Sequence, residues 1–265
     1  MKAAVVSFAR GAAWLGEGWR LYRSAPLTWL MLVFLYWILM SMVSALPLAG
    51  VAIALTLIPA FSVGFMAASR SCAAGRTPGI ADLFAGFRGT LQVQLALGAA
   101  YFALLAAVLW LTTLADGGAL ARWMTTGARP DEQTLMSDGF LGALALAAAG
   151  YAPVMMLYWF APVLAAWHGT GAVKALFFSL AACLVNWRAL TGYGVAAALV
   201  TIVIPFLVLS VLLLVSGGRH QTGVMGVMLP LLLALMPMLY ASFYAGYRDI
   251  FGAATAAPDA AAPPE

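Results

Sequence analysis

Six stretches of this chain run for 20 residues or more without one charged side chain, and nothing else in the sequence restricts the fold as much. They cover residues 27–46, 50–69, 91–114, 140–164, 191–215 and 224–247. An α-helix needs about 20 apolar residues to cross the hydrocarbon layer of a bilayer. Composition agrees: 65% of the 265 residues are hydrophobic and 8% are charged, against about 25% charged in ordinary soluble domains. A chain of this size has too little interior to enclose so much apolar surface. The expected fold is an all-α polytopic integral membrane bundle of six transmembrane helices forming a single domain over residues 1–251. Leu46, Pro47, Leu48, Ala49 and Gly50 make so short a connection that the first two spans are expected to form an antiparallel hairpin.

Loop charges set the expected orientation. Lys2, Arg10, Arg20, Arg23, Arg70, Arg76, Arg88, Lys174, Arg188 and Arg248 fall on one side, and Arg122, Arg129 and Arg219 on the other. The richer side is expected to be cytosolic. That places both termini in the cytosol of a bacterial inner membrane and the long loop 116–139 outside. Lys2, Arg10, Glu17, Arg20 and Arg23 interrupt the first 23 residues, so no cleavable leader is expected there.

Three cytosolic segments read as amphipathic. In residues 1–23, Val5, Phe8, Ala12, Leu15, Trp19 and Tyr22 share one helical face, with Arg10, Glu17 and Arg20 off it. An interfacial helix lying with its aromatic face toward lipid is expected, weakened by Gly11, Gly16 and Gly18. Segment 79–90 places Ile80, Leu83, Phe84 and Phe87 on one face, and segment 172–188 does so with Val173, Leu176, Phe177, Leu180, Leu184 and Trp187. Each follows a proline-bearing span (Pro59, Pro162) and ends near an arginine (Arg88, Arg188). This raises a parallel repeat of two helical hairpins, with coincidence as the alternative. The tail 252–265 is rich in Ala and Pro and is expected to be disordered.

Gly18-Trp19-Arg20-Leu21-Tyr22-Arg23 with Pro26, the run Pro59-Ala60-Phe61-Ser62-Val63-Gly64, and the closing Tyr247-Arg248-Asp249-Ile250-Phe251-Gly252 carry a resemblance. Over nearly its whole length the chain resembles a proteobacterial family of six-helix inner-membrane proteins whose function is unknown. More distantly it is similar to the membrane domain found beside some glycerophosphodiester phosphodiesterases. The resemblance implies a fold and a compartment; it implies no catalytic residues.

The chemistry-bearing residues are sparse. No ionisable group of the Asp, Glu, His, Lys or Arg type lies within the six windows, which weighs against ion-coupled pumps and voltage sensors. His168 and His220 fall near opposite faces, Cys72 and Cys183 form no C-x-x-C pair, and Asp131, Glu132 and Asp138 read as a solvated acidic loop. No enzyme motif, metal site or cofactor is expected, and scattered basic residues do not form a nucleic-acid footprint. Two candidate sites remain. Arg20, Arg23, Arg70, Arg76, Arg88 and Arg188 ring the inner face and suit anionic lipid headgroups. Tyr36, Trp37, Tyr151, Tyr158 and Trp159 sit mid-span and are candidate cavity-lining residues, beside spans carrying Pro59, Pro153, Pro162, Pro205, Pro230 and Pro237. The reading is a non-enzymatic membrane protein contacting anionic lipid as a structural or accessory envelope factor. The alternative is a transporter or channel for a small or amphipathic substrate. Ala60, Gly64 and Ala68, and likewise Ser242 and Gly246, permit close helix contact inside one chain, in a homo-oligomer or with a protein partner.

Overall fold

The computed structural model describes residues 3–47, 49–215 and 221–252, with side chains of 221–234 left outside that description. The tail 253–265, Lys2, Arg219 and His220 also lie outside it. Among the described residues every regular element is helical. In chain order they are α1 (Phe8–Ser24), α2 (Pro26–Ser44), α3 (Gly50–Ala73), α4 (Ile80–Leu83), α5 (Leu91–Asp116), α6 (Ala119–Thr126), α7 (Glu132–Leu135), α8 (Asp138–Tyr158), α9 (Ala161–His168), α10 (Ala172–Val185), α11 (Trp187–Ala198), α12 (Ile204–Val215) and α13 (Gln221–Phe251).

Five runs are long and apolar enough to span a bilayer: Pro26–Ser44, Gly50–Ala73, Leu91–Asp116, Asp138–His168 and Trp187–Val215. The sixth window, 224–247, falls inside α13, a continuous helix of 31 residues. The outer surface is apolar, and the interior mixes large side chains such as Trp14, Trp29, Leu32 and Phe160 with many small and polar ones. Leu27, Trp110, Leu114, Phe206 and Leu214 are exposed, while the interior holds Ala60, Ala68, Ala143, Ala175, Ala182, Ala189, Ala241 and Ala245 with Ser69, Gln94, Thr112, Ser179, Asn186 and Ser242. Lipid solvates large apolar side chains as well as a protein core does, so small residues take the contacts between helices.

Two compact units form. The first comprises residues up to Met42, Phe61–Arg88 and Ala181 onward; the second comprises Val43–Ala60 and Gly89–Leu180. In the first, the small residues singled out in the sequence serve contacts within the chain. A Cβ placed on Gly64 would fall 2.0 Å from the Leu83 carbonyl oxygen, and one on Gly246 would meet the Trp14 ring at 3.2 Å. Tyr193 and Ser242 share a hydroxyl hydrogen bond of 2.8 Å, which ties α11 to α13. Segment 79–90 differs from the single amphipathic stretch expected. It is the one-turn α4, closed by a 3-10 turn at Ala85–Phe87, with Leu83 buried and Phe84 and Phe87 against the Phe61 ring. Its counterpart in the proposed repeat is the 14-residue α10, so the two elbows differ in form.

In the second unit the window 140–164 is interrupted at Trp159 and Phe160. Pro162, in the first turn of α9, has no N–H and its ring clashes with a carbonyl four residues back, which forces the break. Ser179 repairs it: its hydroxyl accepts from Phe160 N at 2.9 Å and donates to Met156 O at 2.8 Å. Gln94 Nε2 donates to Pro162 O at 3.0 Å. In the first unit Pro205 follows a π-helical turn at Leu199–Val203, and the helical run from α11 to α12 continues without interruption. Pro59 and Pro153 lie inside uninterrupted helices.

The loop 116–139 is folded rather than irregular. Asp116 accepts from Gly118 N at 2.8 Å and Leu120 N at 2.7 Å, which starts α6. Leu120 then packs with Phe140 and Ala143, with Trp123 alongside. Asp131 caps α7 through Thr134 N at 2.7 Å. Asp116→Ala is expected to lower stability by about 1–2 kcal/mol, the usual range for a lost cap. Faster hydrogen exchange confined to residues 117–126 is the measurement that checks it.

Candidate functional site

The site is assembled by α1, whose placement follows from glycine. A Cβ on Gly11 would fall 1.9 Å from the Ala189 carbonyl oxygen, and one on Gly18 would fall 2.5 Å from that of Met238. At Gly192 the corresponding approach is to Phe8 O at 2.3 Å. Backbone therefore touches backbone where α1 meets α11 and α13. The buried side of α1 is Gly11, Trp14, Leu15, Glu17, Gly18 and Tyr22. Of the face expected to meet lipid, Val5, Phe8 and Trp19 are exposed, whereas Leu15 and Tyr22 are buried against the protein together with Glu17, which lies off that face. The segment before α1 is clasped as well. Ala4 N donates to Ile250 O at 2.8 Å. Asn186 accepts from Val6 N at 2.7 Å and donates to Ala4 O at 3.0 Å.

This packing brings four charges from opposite ends of the sequence together. Arg10 grips Asp249 with two hydrogen bonds, Nε to Oδ2 at 2.5 Å and Nη2 to Oδ1 at 3.0 Å. The same Nη2 lies 2.6 Å from Glu17 Oε1, and Arg248 Nη2 reaches Glu17 Oε2 at 2.5 Å. Trp14 Nε1 adds a hydrogen bond to Asp249 Oδ2 at 2.8 Å. Burial pushes the Asp249 carboxyl up, but the bonds from Arg10 and Trp14 and the nearby guanidinium charges outweigh it, holding it below the usual range. The Asp249 bond likewise raises the Arg10 guanidinium against the effect of burial. Arg10, Glu17 and Asp249 were not among the expected site residues. The available signal was the rarity of acids among the inner-face arginines.

Beside this cluster lies a pocket of about 420 Å³ whose wall includes Glu17, Arg20, Ser24, Cys72, Tyr244 and Arg248. All six arginines singled out in the sequence belong to the first unit and are exposed. Arg20 lies 3.6 Å from Glu17. Arg23 and Arg70 occupy the last turns of α1 and α3, and Arg188 lies over the Trp187 ring at 5.4 Å. Among the described residues Arg23, Arg76, Arg88 and Arg188 form no ion pair.

The mid-span aromatics divide between the units. Tyr36 packs edge-on against Phe61 at 5.2 Å and Phe65 at 5.3 Å, and Phe65 stacks on Tyr240 at 4.1 Å. Trp37, from the same helix, is half-buried. In the second unit Tyr158 donates to Leu97 O at 2.8 Å and packs against Tyr101 at 4.9 Å. Tyr151 is exposed and Trp159 is half-buried at the helix break. Cys72 and Cys183 are buried and form no disulfide with each other. His168 closes α9. Among the described residues no three His, Cys, Asp or Glu side chains converge to hold a metal ion.

No family model matches the chain, and no solved structure matches it. It is 40% identical over 260 residues to a probable inner membrane protein of Burkholderia thailandensis, an alignment covering 95% of this chain and 94% of the relative. The relative's name gives a compartment and no reaction or ligand, and carries no link to glycerophosphodiester phosphodiesterases.

Proposed function

The chain belongs to a family of multi-pass inner membrane proteins, and from that premise we propose that it is a non-enzymatic member that holds anionic lipid headgroups as a structural or accessory factor of the envelope. The observation that carries this reading is the division among its arginines. Arg10 and Arg248 are engaged by carboxylates, whereas Arg23, Arg76, Arg88 and Arg188 are exposed without an acidic partner among the described residues. A guanidinium presents a planar fork matched to phosphate oxygens. The cytosolic leaflet carries the anionic lipids that attract such groups. With α13 as a sixth span, the arginine count puts both termini and these four side chains at that leaflet, and α6 and α7 on the outer side. A parallel hairpin repeat belongs to the same reading, supported by the sequence order of its elements alone.

Each basic residue near an anionic surface contributes about 1 kcal/mol. Replacing Arg23, Arg76, Arg88 and Arg188 together by Gln is therefore expected to reduce retention of phosphatidylglycerol or cardiolipin at least ~10-fold in native mass spectrometry. Retention equal to wild type would contradict the reading.

A further inference from the structure

The pocket at the ends of α1, α3 and α13 has a charge balance that the fold does not use up. Each of these helices ends in carbonyls carrying partial negative charge, and each has its own arginine in the last turn: Arg23, Arg70 and Arg248. Glu17 and Asp249 are matched by Arg10 and Arg248. Arg20 is left over. Its side chain is 70% exposed, and at 3.6 Å from Glu17 it stands outside hydrogen-bond reach while its direction stays biased toward the pocket wall. Arg248 uses only Nη2 on the two carboxylates, which leaves further N–H donors on a side chain 47% exposed. Both guanidiniums line the same volume of about 420 Å³, within the ~300–1,000 Å³ of ordinary ligand sites.

We propose that this pocket seats a phosphate group, held by Arg20 with Arg248 as the second donor. A phosphate offers several oxygens, so one group takes donors from both forks at once. Glu17 sets the spacing: by fixing Arg248 and drawing Arg20 toward it, it holds two positive heads on one wall. The proposal rests on the lipid-contact reading and narrows it from a surface to one site. The phosphate comes either from a phospholipid headgroup or from a soluble phosphate compound.

The test compares wild-type protein in mild detergent with Arg20→Gln, Arg20→Lys and the four-arginine variant described above. Arg20 forms no hydrogen bond among the described residues and its ion pair with Glu17 is long and exposed, so its removal is expected to shift thermal unfolding without added ligand only slightly. In native mass spectrometry with phosphatidylglycerol, wild type is expected to keep one lipid at activation energies that strip the rest. Arg20→Gln is expected to lose that lipid ~10-fold or more, the usual scale for a charged hydrogen bond, with partial rescue in Arg20→Lys. Inorganic phosphate supplies the second arm. If it raises the unfolding temperature of wild type but not of Arg20→Gln while lipid is not held, the pocket stands and its ligand is soluble. If Arg20→Gln matches wild type in both arms while the four-arginine variant loses lipid, the pocket proposal is overturned and the surface reading survives. Loss in neither variant and no phosphate effect overturns both.

Discussion

Gly11→Ala is expected to be the most damaging single-methyl change in the first unit. The added carbon would sit 1.9 Å from the Ala189 carbonyl oxygen, and the obstructing atom is backbone rather than a movable side chain. Relief requires moving α1 off its neighbours, which also withdraws Trp14 and Arg10 from Asp249. The penalty is expected to reach or exceed the upper end of the roughly 1–3 kcal/mol typical of overpacked cores. Gly16→Ala is the matched control. Nothing lies within 4 Å of a Cβ there, so removing an exposed helix-interior glycine is expected to add about 0.5–1 kcal/mol. Opposite shifts in the thermal unfolding midpoint in detergent check the pair. Two shifts of the same sign would contradict the packing described for α1.

Glu17→Ala ranks second. Glu17 has a side chain only 9% exposed and lies between Arg10, Arg248 and Arg20. Removing one partner of a buried ion pair typically costs about 3–5 kcal/mol. Arg10 and Arg248 retain 41% and 47% of their side-chain exposure, so water relieves part of the repulsion and about 2–3 kcal/mol is expected. Asp249 adds a pH signature. Its carboxyl is held below the ordinary range, so its contribution is fully present above about pH 4 and is lost as pH falls through the depressed value. An Asp249→Asn variant is expected to show a flatter decline in stability below about pH 4 than wild type. Identical acid limbs would remove Asp249 from this role.

The spans were legible because charge is excluded from lipid over a fixed length. Windows 27–46, 50–69 and 91–114 reappear as α2, α3 and α5 with shifts of a few residues. The interior break was less so: Pro162 was visible, but Pro59 and Pro153 were equally visible and leave their helices whole. What separates them is tertiary, as with Ser179 answering the break at Phe160. The packing side of α1 was not legible, because an apolar face turned toward lipid does not say which residues meet the protein. In this chain Gly11 and Gly18 mark the interior and Trp19 does not. The ion cluster was hidden for another reason. Glu17 and Arg248 are 231 positions apart, and Arg10 and Asp249 are 239 apart. No local pattern links such residues. Arg20 was recognisable as a candidate, but its place beside Arg248 on one pocket wall is visible only when α1 and α13 lie together.

The central claim is that the arginine-bearing end of the first unit faces the cytosol. Single-cysteine accessibility tests it most directly, since the native Cys72 and Cys183 are buried and contribute little background. In outer-membrane-permeabilised cells, a membrane-impermeant maleimide is predicted to label Ala128→Cys, in the exposed turn between α6 and α7, and to reach Arg76→Cys only after the inner membrane is opened. Labelling of Arg76→Cys in cells with an intact inner membrane, with Ala128→Cys protected, would contradict the account.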